Sequence, residues 1–349
     1  MTPLSINLAL QGGGAHGAFT WGALTRILED PEIEIAAISG TSAGALNGAA
    51  LKAGLTSAPG DAGRQAALDN LDWLWAQMGA VNDPGLQAWL DAISPPAALM
   101  SRALEYSLPV AMIDAYTRAI SPYALGAAYQ NPLRRIVDRF RFDRVCSHAG
   151  PAFFVNTTRV SNGKIRVFTQ DEMCTDVILA SACLPSVFQA VEIYDTETDR
   201  IEAFWDGGYT GNPALFPLFD PAFSRDVVII NVNPLETETL PRTPMEIQNR
   251  INEISFNSSL LRELRAIAFV QRMLTTGALT PGTMRDLNIH MISDDVLMNA
   301  LSVATKMVPL PTVLGQLKIA GYDAAAKFLD AHKADLGVKS TVDLPTMFG

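Results

Sequence analysis

The sequence predicts an α/β protein built on a largely parallel sheet, and three observations carry that prediction. Short β-rich runs alternate with longer helical patterns through most of the chain, as crossover connections between parallel strands require. Glycine clusters stand where a strand gives way to a helix, at residues 12–17 and 40–44. The 349 residues are 48% hydrophobic and only 18% charged, against about 25% charged in an ordinary soluble domain. A chain of that composition is not disordered and can bury a large core.

Residues 4–10 (Leu-Ser-Ile-Asn-Leu-Ala-Leu) form the expected first strand. A helix over 17–29 follows, with Phe19, Leu24, Ile27 and Leu28 on one face. Residues 35–39 read as the second strand and lead through 40–44 into an Ala-rich helix that ends near Ala53. A Gly/Ser/Pro loop over 55–63 precedes residues 64–128, which read as helices broken at Pro84, Pro95-Pro96, Pro109 and Pro122, an insertion or cap. Two β-rich runs, 153–160 and 164–168, flank Ser161-Asn162-Gly163, and Asn-Gly in that place signals a hairpin. Residues 226–232 read as a buried strand. A long helix over 244–274, a strand near 287–292 and a helix over 313–332 complete the chain.

The 26 Lys and Arg against 36 Asp and Glu give a net charge of −10. That balance disfavours a nucleic-acid footprint, which needs clustered cations, and it provides no long-range attraction to anionic lipid. Membrane contact would have to be apolar and transient. Cys146, Cys174 and Cys183 are odd in number and show no CxxC spacing, so neither a disulfide scaffold nor a structural zinc site is expected. The N-terminus lacks the basic and apolar segments of a signal peptide, and no run of about 20 apolar residues escapes interruption. The expectation is a cytoplasmic protein, soluble or peripheral at a membrane, with no cofactor and no metal.

Three motifs carry the chemistry. Gly12-Gly13-Gly14-Ala15-His16-Gly17 lies between a strand and a helix, where bare backbone N–H groups can approach an anion at the positive end of the helix. A phosphate loop, an oxyanion hole and a plain tight turn all fit it. No Lys-Ser/Thr ending follows, as a Walker loop requires. Gly12, Gly14 and Gly17 match the dinucleotide spacing, but the second strand ends in Ser39-Gly40-Thr41-Ser42, without the acidic ribose partner. Gly40-Thr41-Ser42-Ala43-Gly44 has the GxSxG form of a nucleophile elbow, whose small neighbours permit a strained turn; a buried glycine-rich turn is the alternative. In Trp205-Asp206-Gly207-Gly208-Tyr209 the aspartate can project from a strand end into a crevice, or simply form an Asp-Gly turn.

Together, in this order, residues 12–17, residues 40–44 and Asp206-Gly207-Gly208 resemble the oxyanion loop, nucleophile elbow and catalytic-Asp motif of the patatin-like phospholipase family. Residues 180–188, Ala-Ser-Ala-Cys-Leu-Pro-Ser-Val-Phe, resemble the Ala-Ser-x-x-x-Pro-x-x-Phe segment that precedes the Asp motif in that family. The resemblance spans residues 5–233, about two thirds of the chain, and implies a three-layer α/β/α sandwich as the catalytic domain. Residues 64–128 would be a helical insertion or lid, and 234–349 a mostly helical C-terminal extension packed on that core. It also implies a Ser-Asp dyad: Ser42 attacks an ester carbonyl and Asp206 accepts its proton. Gly12, Gly13, Gly14 and His16 would form the oxyanion hole, with Gly17, Gly40, Gly44, Gly207 and Gly208 as supporting motif residues. At position 16 the family usually carries Arg or Lys.

A Ser-His-Asp triad competes with the dyad, because Ser42, Asp206 and His290 fall in the chain order of α/β-hydrolases. Against it, His290 sits inside a strand-like run, and the elbow follows only the second strand. The implied function is a serine acyl hydrolase acting on lipid-like esters, of the phospholipase A or lysophospholipase type. A general carboxylesterase, a polyester hydrolase or an acyltransferase would use the same dyad, and a non-catalytic lipid-binding scaffold would keep the fold alone. Trp73, Trp75, Trp89, Leu86, Leu90, Met100 and Tyr106 of the insertion suit either helical packing or an apolar lid. Arg262, Arg265 and Arg272 read as a solvated helix face shared with Glu263.

Overall fold

β1 (Leu4–Leu10) and β2 (Ile33–Gly40) lie side by side and parallel near the middle of an eight-stranded sheet of order β5-β6-β3-β2-β1-β7-β8, with β4 paired to β3. The computed structural model describes residues 3–348 apart from 82, 84, 87–89, 91–93, 238–239 and 281; Pro84 and Trp89 lie outside the described residues. β3 (Ala152–Arg159), β7 (Asp226–Ile230) and β8 (Asn288–Ile292) extend the parallel set. β4 (Ile165–Phe168) and β6 (Arg200–Asp206) run antiparallel to β3, and β5 (Val191–Asp195) antiparallel to β6.

The central strands are apolar on both faces because both are covered, which explains their near-continuous hydrophobic runs. Leu8, Leu10, Ile38, Val228 and Ile230 pack on one side, among residues of α1 (Gly17–Leu28), α2 (Ala43–Leu55) and α3 (Asp61–Gln77). Ala9, Ala37, Val227, Ile229 and Ile289 alternate to the other side and meet Leu260, Leu264 and Ile267 of the long helix Pro244–Thr275. Spacings of four and three residues put those three on one stripe of that helix. The helix begins where it does because Thr243 and Glu246 form a reciprocal capping box with Pro244 at the first turn. The outcome is the three-layer α/β/α sandwich.

Along the chain, α4 (Ala97–Glu105), α5 (Leu108–Ala119) and α6 (Thr175–Ser181) precede the long helix, which becomes α7; α8 (Val303–Met307) and α9 (Pro311–His332) follow it. α9 packs tightly on α1 through two glycines: a Cβ on Gly22 would lie 1.8 Å from the Lys318 carbonyl oxygen, and one on Gly321 1.9 Å from that of Phe19. The last third of the chain therefore supplies both a sheet strand and a helix against the core.

Several expectations shift. Pro109 does not break a helix: the break falls at Tyr106-Ser107, and Pro109 occupies the first turn of α5, where a missing N–H costs nothing. Trp75 belongs to the core, 2% exposed, with its indole N–H on Asn47 Oδ1 at 2.9 Å. Glu263 is not part of a solvated face: its carboxylate accepts the N–H groups of Leu215 and Phe216 at 2.9 and 2.8 Å, and burial pushes its pKa up to about 7. Arg262, Arg265 and Arg272 are exposed as read. The strand β5 was not expected from the sequence. At the outer edge of β8, residues 340–342 lie along Ile289, with Thr341 N–H and Val342 N–H donating to its carbonyl at 3.0 and 3.1 Å and Ser340 Oγ accepting its N–H at 3.0 Å.

Candidate active site

Ser42 sits on the turn from β2 into α2 with φ 54° and ψ −120°, a left-handed conformation that an L-residue adopts only under constraint. The constraint is packing. Gly44, two residues on, lies so close to the end of β1 that a Cβ there would sit 2.1 Å from the Leu10 carbonyl oxygen. Gly40 meets the Gly44 carbonyl in the same way. Thr41 donates its hydroxyl to the Gly211 carbonyl at 2.6 Å, and the Ser42 N–H donates to Ser181 Oγ at 2.9 Å. Ser181, from α6, passes its own proton to the Asn156 carbonyl at 2.8 Å.

β6 delivers Asp206 to the same place. Its carboxylate accepts the Gly208 N–H at 2.7 Å, the residue is 3% exposed, and the Ser42 hydroxyl lies close enough to favour its ionised form. Burial pushes the Asp206 pKa up to about 7, against the opposing effects of the Gly208 N–H and the Ser42 hydroxyl. Gly207 packs against the Asn156 carbonyl and Gly208 under the Phe256 ring, so neither has room for a side chain. The three motifs thus meet at the C-terminal ends of β1 and β2, where open α/β sheets place their crevices.

The glycine loop faces Ser42: a Cβ on Gly12 would lie 2.7 Å from Ser42 Cβ. The four expected oxyanion donors are not equivalent. The Gly12 N–H is taken by Asn212 Oδ1 at 2.7 Å, and the His16 N–H closes a 3-10 turn on the Gly13 carbonyl at 3.2 Å. The N–H groups of Gly13 and Gly14 have no acceptor among the described residues. Of the four, only those two N–H groups are left open to an anion. Gly17 starts α1 directly behind the loop, against Ala43. His16 is fully buried, its Nε2 2.9 Å from Thr305 Oγ1, and burial, helped by the Lys306 charge, holds its imidazole well below the ordinary value. It is a neutral packing residue.

His290 is not in the crevice. Its Nε2 lies 2.9 Å from Asp226 Oδ1 and its Nδ1 3.1 Å from Thr341 Oγ1, and Asp226 begins β7 at the opposite end of the strands. Burial opposes ionisation of Asp226, but hydrogen bonds from His290, the Gly337 N–H and Asn288 hold its carboxyl below the usual value. His290→Ala is expected to destabilise the fold by about 3 kcal/mol, read by urea unfolding, because it strips a partner from a buried charge. Catalysis per folded molecule should survive.

A second layer of amides escaped the sequence reading. Gln11 Oε1 accepts the N–H groups of Val232 and Asn233, both at 2.8 Å, and its Nε2 donates to Asn257 Oδ1 at 2.9 Å. Asn233 Nδ2 donates to the Gly12 carbonyl at 2.7 Å. All four amides, Gln11, Asn212, Asn233 and Asn257, are at most 2% exposed. The available signal was Asn231-Val232-Asn233-Pro234, polar amides directly after a buried strand.

A family model described as patatin-like phospholipase matches residues 8–219, more than half of the chain. The chain belongs to the patatin-like phospholipase family. That membership places it among lipid-hydrolysing enzymes. A search among curated proteins finds no match. Among solved structures, VipD from Legionella pneumophila is 16% identical with a TM-score of 0.43, the alignment covering 95% of this chain and 67% of that one. The type III effector protein ExoU is 20% identical with a TM-score of 0.23, over 79% of this chain and 60% of that one. ExoU in complex with SpcU, from Pseudomonas aeruginosa, is 16% identical with a TM-score of 0.28, over 99% and 74%. Among the described residues of this patatin-like chain, no helix is long and apolar enough to cross a membrane.

Proposed function

We propose that this patatin-like chain is a serine acyl hydrolase of lipid-like carboxylic esters, of the phospholipase A or lysophospholipase type, working through a Ser42–Asp206 dyad. The observation that carries the reading is the buried Asp206 carboxylate close to the hydroxyl of a strained Ser42, beside the N–H groups of Gly13 and Gly14, which have no acceptor among the described residues. Asp206 takes the proton as Ser42 Oγ adds to the ester carbonyl, and the two N–H groups receive the developing oxyanion. The proton then passes to the leaving alcohol, and Asp206 activates a water to release the acyl group. A carboxylate is a weak base for a serine at its ordinary pKa near 4; one raised to about 7 by burial is much better matched.

Exposed apolar side chains support a lipid substrate. Leu99 on α4, Tyr106 just after it, and Leu108 and Met112 on α5 are 57–73% exposed, and Ile251 and Ile254 on α7 about 55%. Burial pushes the Glu105 carboxyl up from its ordinary value, and the Glu246 charge at the start of α7 adds to that. The test is labelling by a fluorophosphonate, together with hydrolysis of short and long p-nitrophenyl esters and of phosphatidylcholine vesicles. Labelling that persists without Ser42 would sink the reading, and release of product only to an added alcohol would reassign it as an acyltransferase. Ser181→Ala, which removes the acceptor of the Ser42 N–H, is expected to lower kcat about tenfold by loosening the nucleophile. It should also cost about 1–3 kcal/mol in urea unfolding.

A further inference from the structure

Lys306 sits on α8, and its backbone carbonyl oxygen packs so closely on Gly14 that a Cβ there would lie 2.4 Å from it. Its Nζ donates to Asn233 Oδ1 at 2.8 Å, and among the described residues no carboxylate lies within ion-pair distance of it. A half-buried ammonium without a carboxylate is a costly arrangement. The Asn233 amide can be oriented in only one way, because Nζ only donates and the Gly12 carbonyl only accepts. Lys306 Nζ donates to Asn233 Oδ1, and Asn233 Nδ2 donates to the Gly12 carbonyl oxygen. That carbonyl shares its peptide unit with the Gly13 N–H. In a trans peptide the N–H points opposite to the C=O, so the Gly13 N–H is aimed away from Asn233. Its neighbour Gly12 has its own N–H held by Asn212. Every donor in this chain points the same way, from the cation toward the glycine loop.

We propose that Lys306 is a positioning residue that polarises and orients the Gly13 N–H through Asn233 and the Gly12–Gly13 peptide, strengthening it as an oxyanion donor. Hydrogen bonds in series strengthen one another where the local dielectric is low, and a charge at the head of the series reinforces all of them. The ammonium need not touch substrate; its compensation is the negative charge that develops on the far side of the peptide. The inference rests on the acyl-hydrolase reading for its catalytic consequence, but the polarisation itself does not. Burial holds the Lys306 ammonium below its ordinary pKa, with the Glu253 carboxylate on α7 opposing.

Lys306→Met is expected to lower kcat for p-nitrophenyl butyrate about tenfold with KM within about twofold, and Lys306→Arg to restore most of the loss. A readout independent of turnover is the Gly13 amide. Gly13, Gly14 and Gly208 are the only glycines preceded by glycine, so labelling with 13C-carbonyl and 15N glycine isolates three resonances. The Gly13 signal should move upfield in Lys306→Met and return in Lys306→Arg. In the unaltered chain the same signal should move as Lys306 loses its proton on raising pH; the titratable groups facing it are His16, already neutral, and Glu253. A Gly13 signal that ignores both changes overturns the inference, as does a kcat loss matched by an equal change in KM. Persistent hydrolysis by Ser42→Ala would instead overturn the hydrolase reading, leaving the Gly13 signal to decide on Lys306.

Discussion

Ser42→Ala is expected to abolish ester hydrolysis, by at least about 10³-fold in kcat, and to eliminate fluorophosphonate labelling. The size follows if Ser42 is the nucleophile, because the neighbouring hydroxyls are engaged elsewhere: Thr41 donates to the Gly211 carbonyl, and Ser181 is committed to the Ser42 N–H and the Asn156 carbonyl. Alanine keeps the elbow's packing, so thermal unfolding should hardly change. Ser42→Gly adds a sharper check. At φ 54° glycine relieves strain that serine or alanine must bear, and the variant should unfold about 1 kcal/mol later than Ser42→Ala while being equally inactive. Residual hydrolysis in both would place the chemistry elsewhere.

Asp206→Asn should lower kcat by a similar factor and gives a second signature, in pH. As the proposed base, Asp206 has to be ionised, so kcat/KM of the unaltered protein is expected to rise with pH and level off above about 7. Stability moves the other way. A carboxyl raised from 3.8 to about 7 in the folded state keeps its proton there while the unfolded chain loses it. Its stabilising contribution is full below about 3.8, declines across the window and is gone above about 7. The change is about 4 kcal/mol, at 1.36 kcal/mol per pKa unit. Asparagine has no such dependence. Urea unfolding of both proteins at pH 5 and pH 8 should therefore show the variant gaining on the parent as pH rises; a constant difference would mean that Asp206 is not raised.

The parts of this molecule legible in its sequence are those set by local chemistry. The strands at residues 4–10 and 226–230 are apolar on both faces and bounded by turn residues, and the Asn-Gly hairpin between β3 and β4 announces its own turn. The glycines of residues 12–17 and 40–44 stand out in the sequence because a glycine can be required by its neighbours' backbone alone, and the structure brings the two segments together. What stayed hidden depends on contacts far along the chain. Gln11 looks like the end of a strand until Val232 and Asn233, more than 200 residues later, donate to it. Glu263 has the helical neighbours of a surface residue, and only the loop at residues 215–216 turns it inward. His290 had two readings in sequence, catalytic or structural; the Asp226 carboxylate decides between them. Gly12 and His16 were expected to donate to substrate, and their N–H groups are spoken for within the fold.

The strip of chain at residues 340–342 that lies along β8 has a consequence for colloidal behaviour. A parallel sheet of buried, β-branched strands such as Val227-Val228-Ile229-Ile230 and Asn288-Ile289-His290-Met291-Ile292 would, with a bare outer edge, offer its unpaired N–H and C=O groups to another molecule. Here the Ile289 N–H and carbonyl are both occupied by the chain's own later residues. The His290–Thr341 contact, 3.1 Å long, fastens the same strip from inside the sheet. Where it lies along β8, the strip closes the Ile289 position of this edge to pairing by another chain.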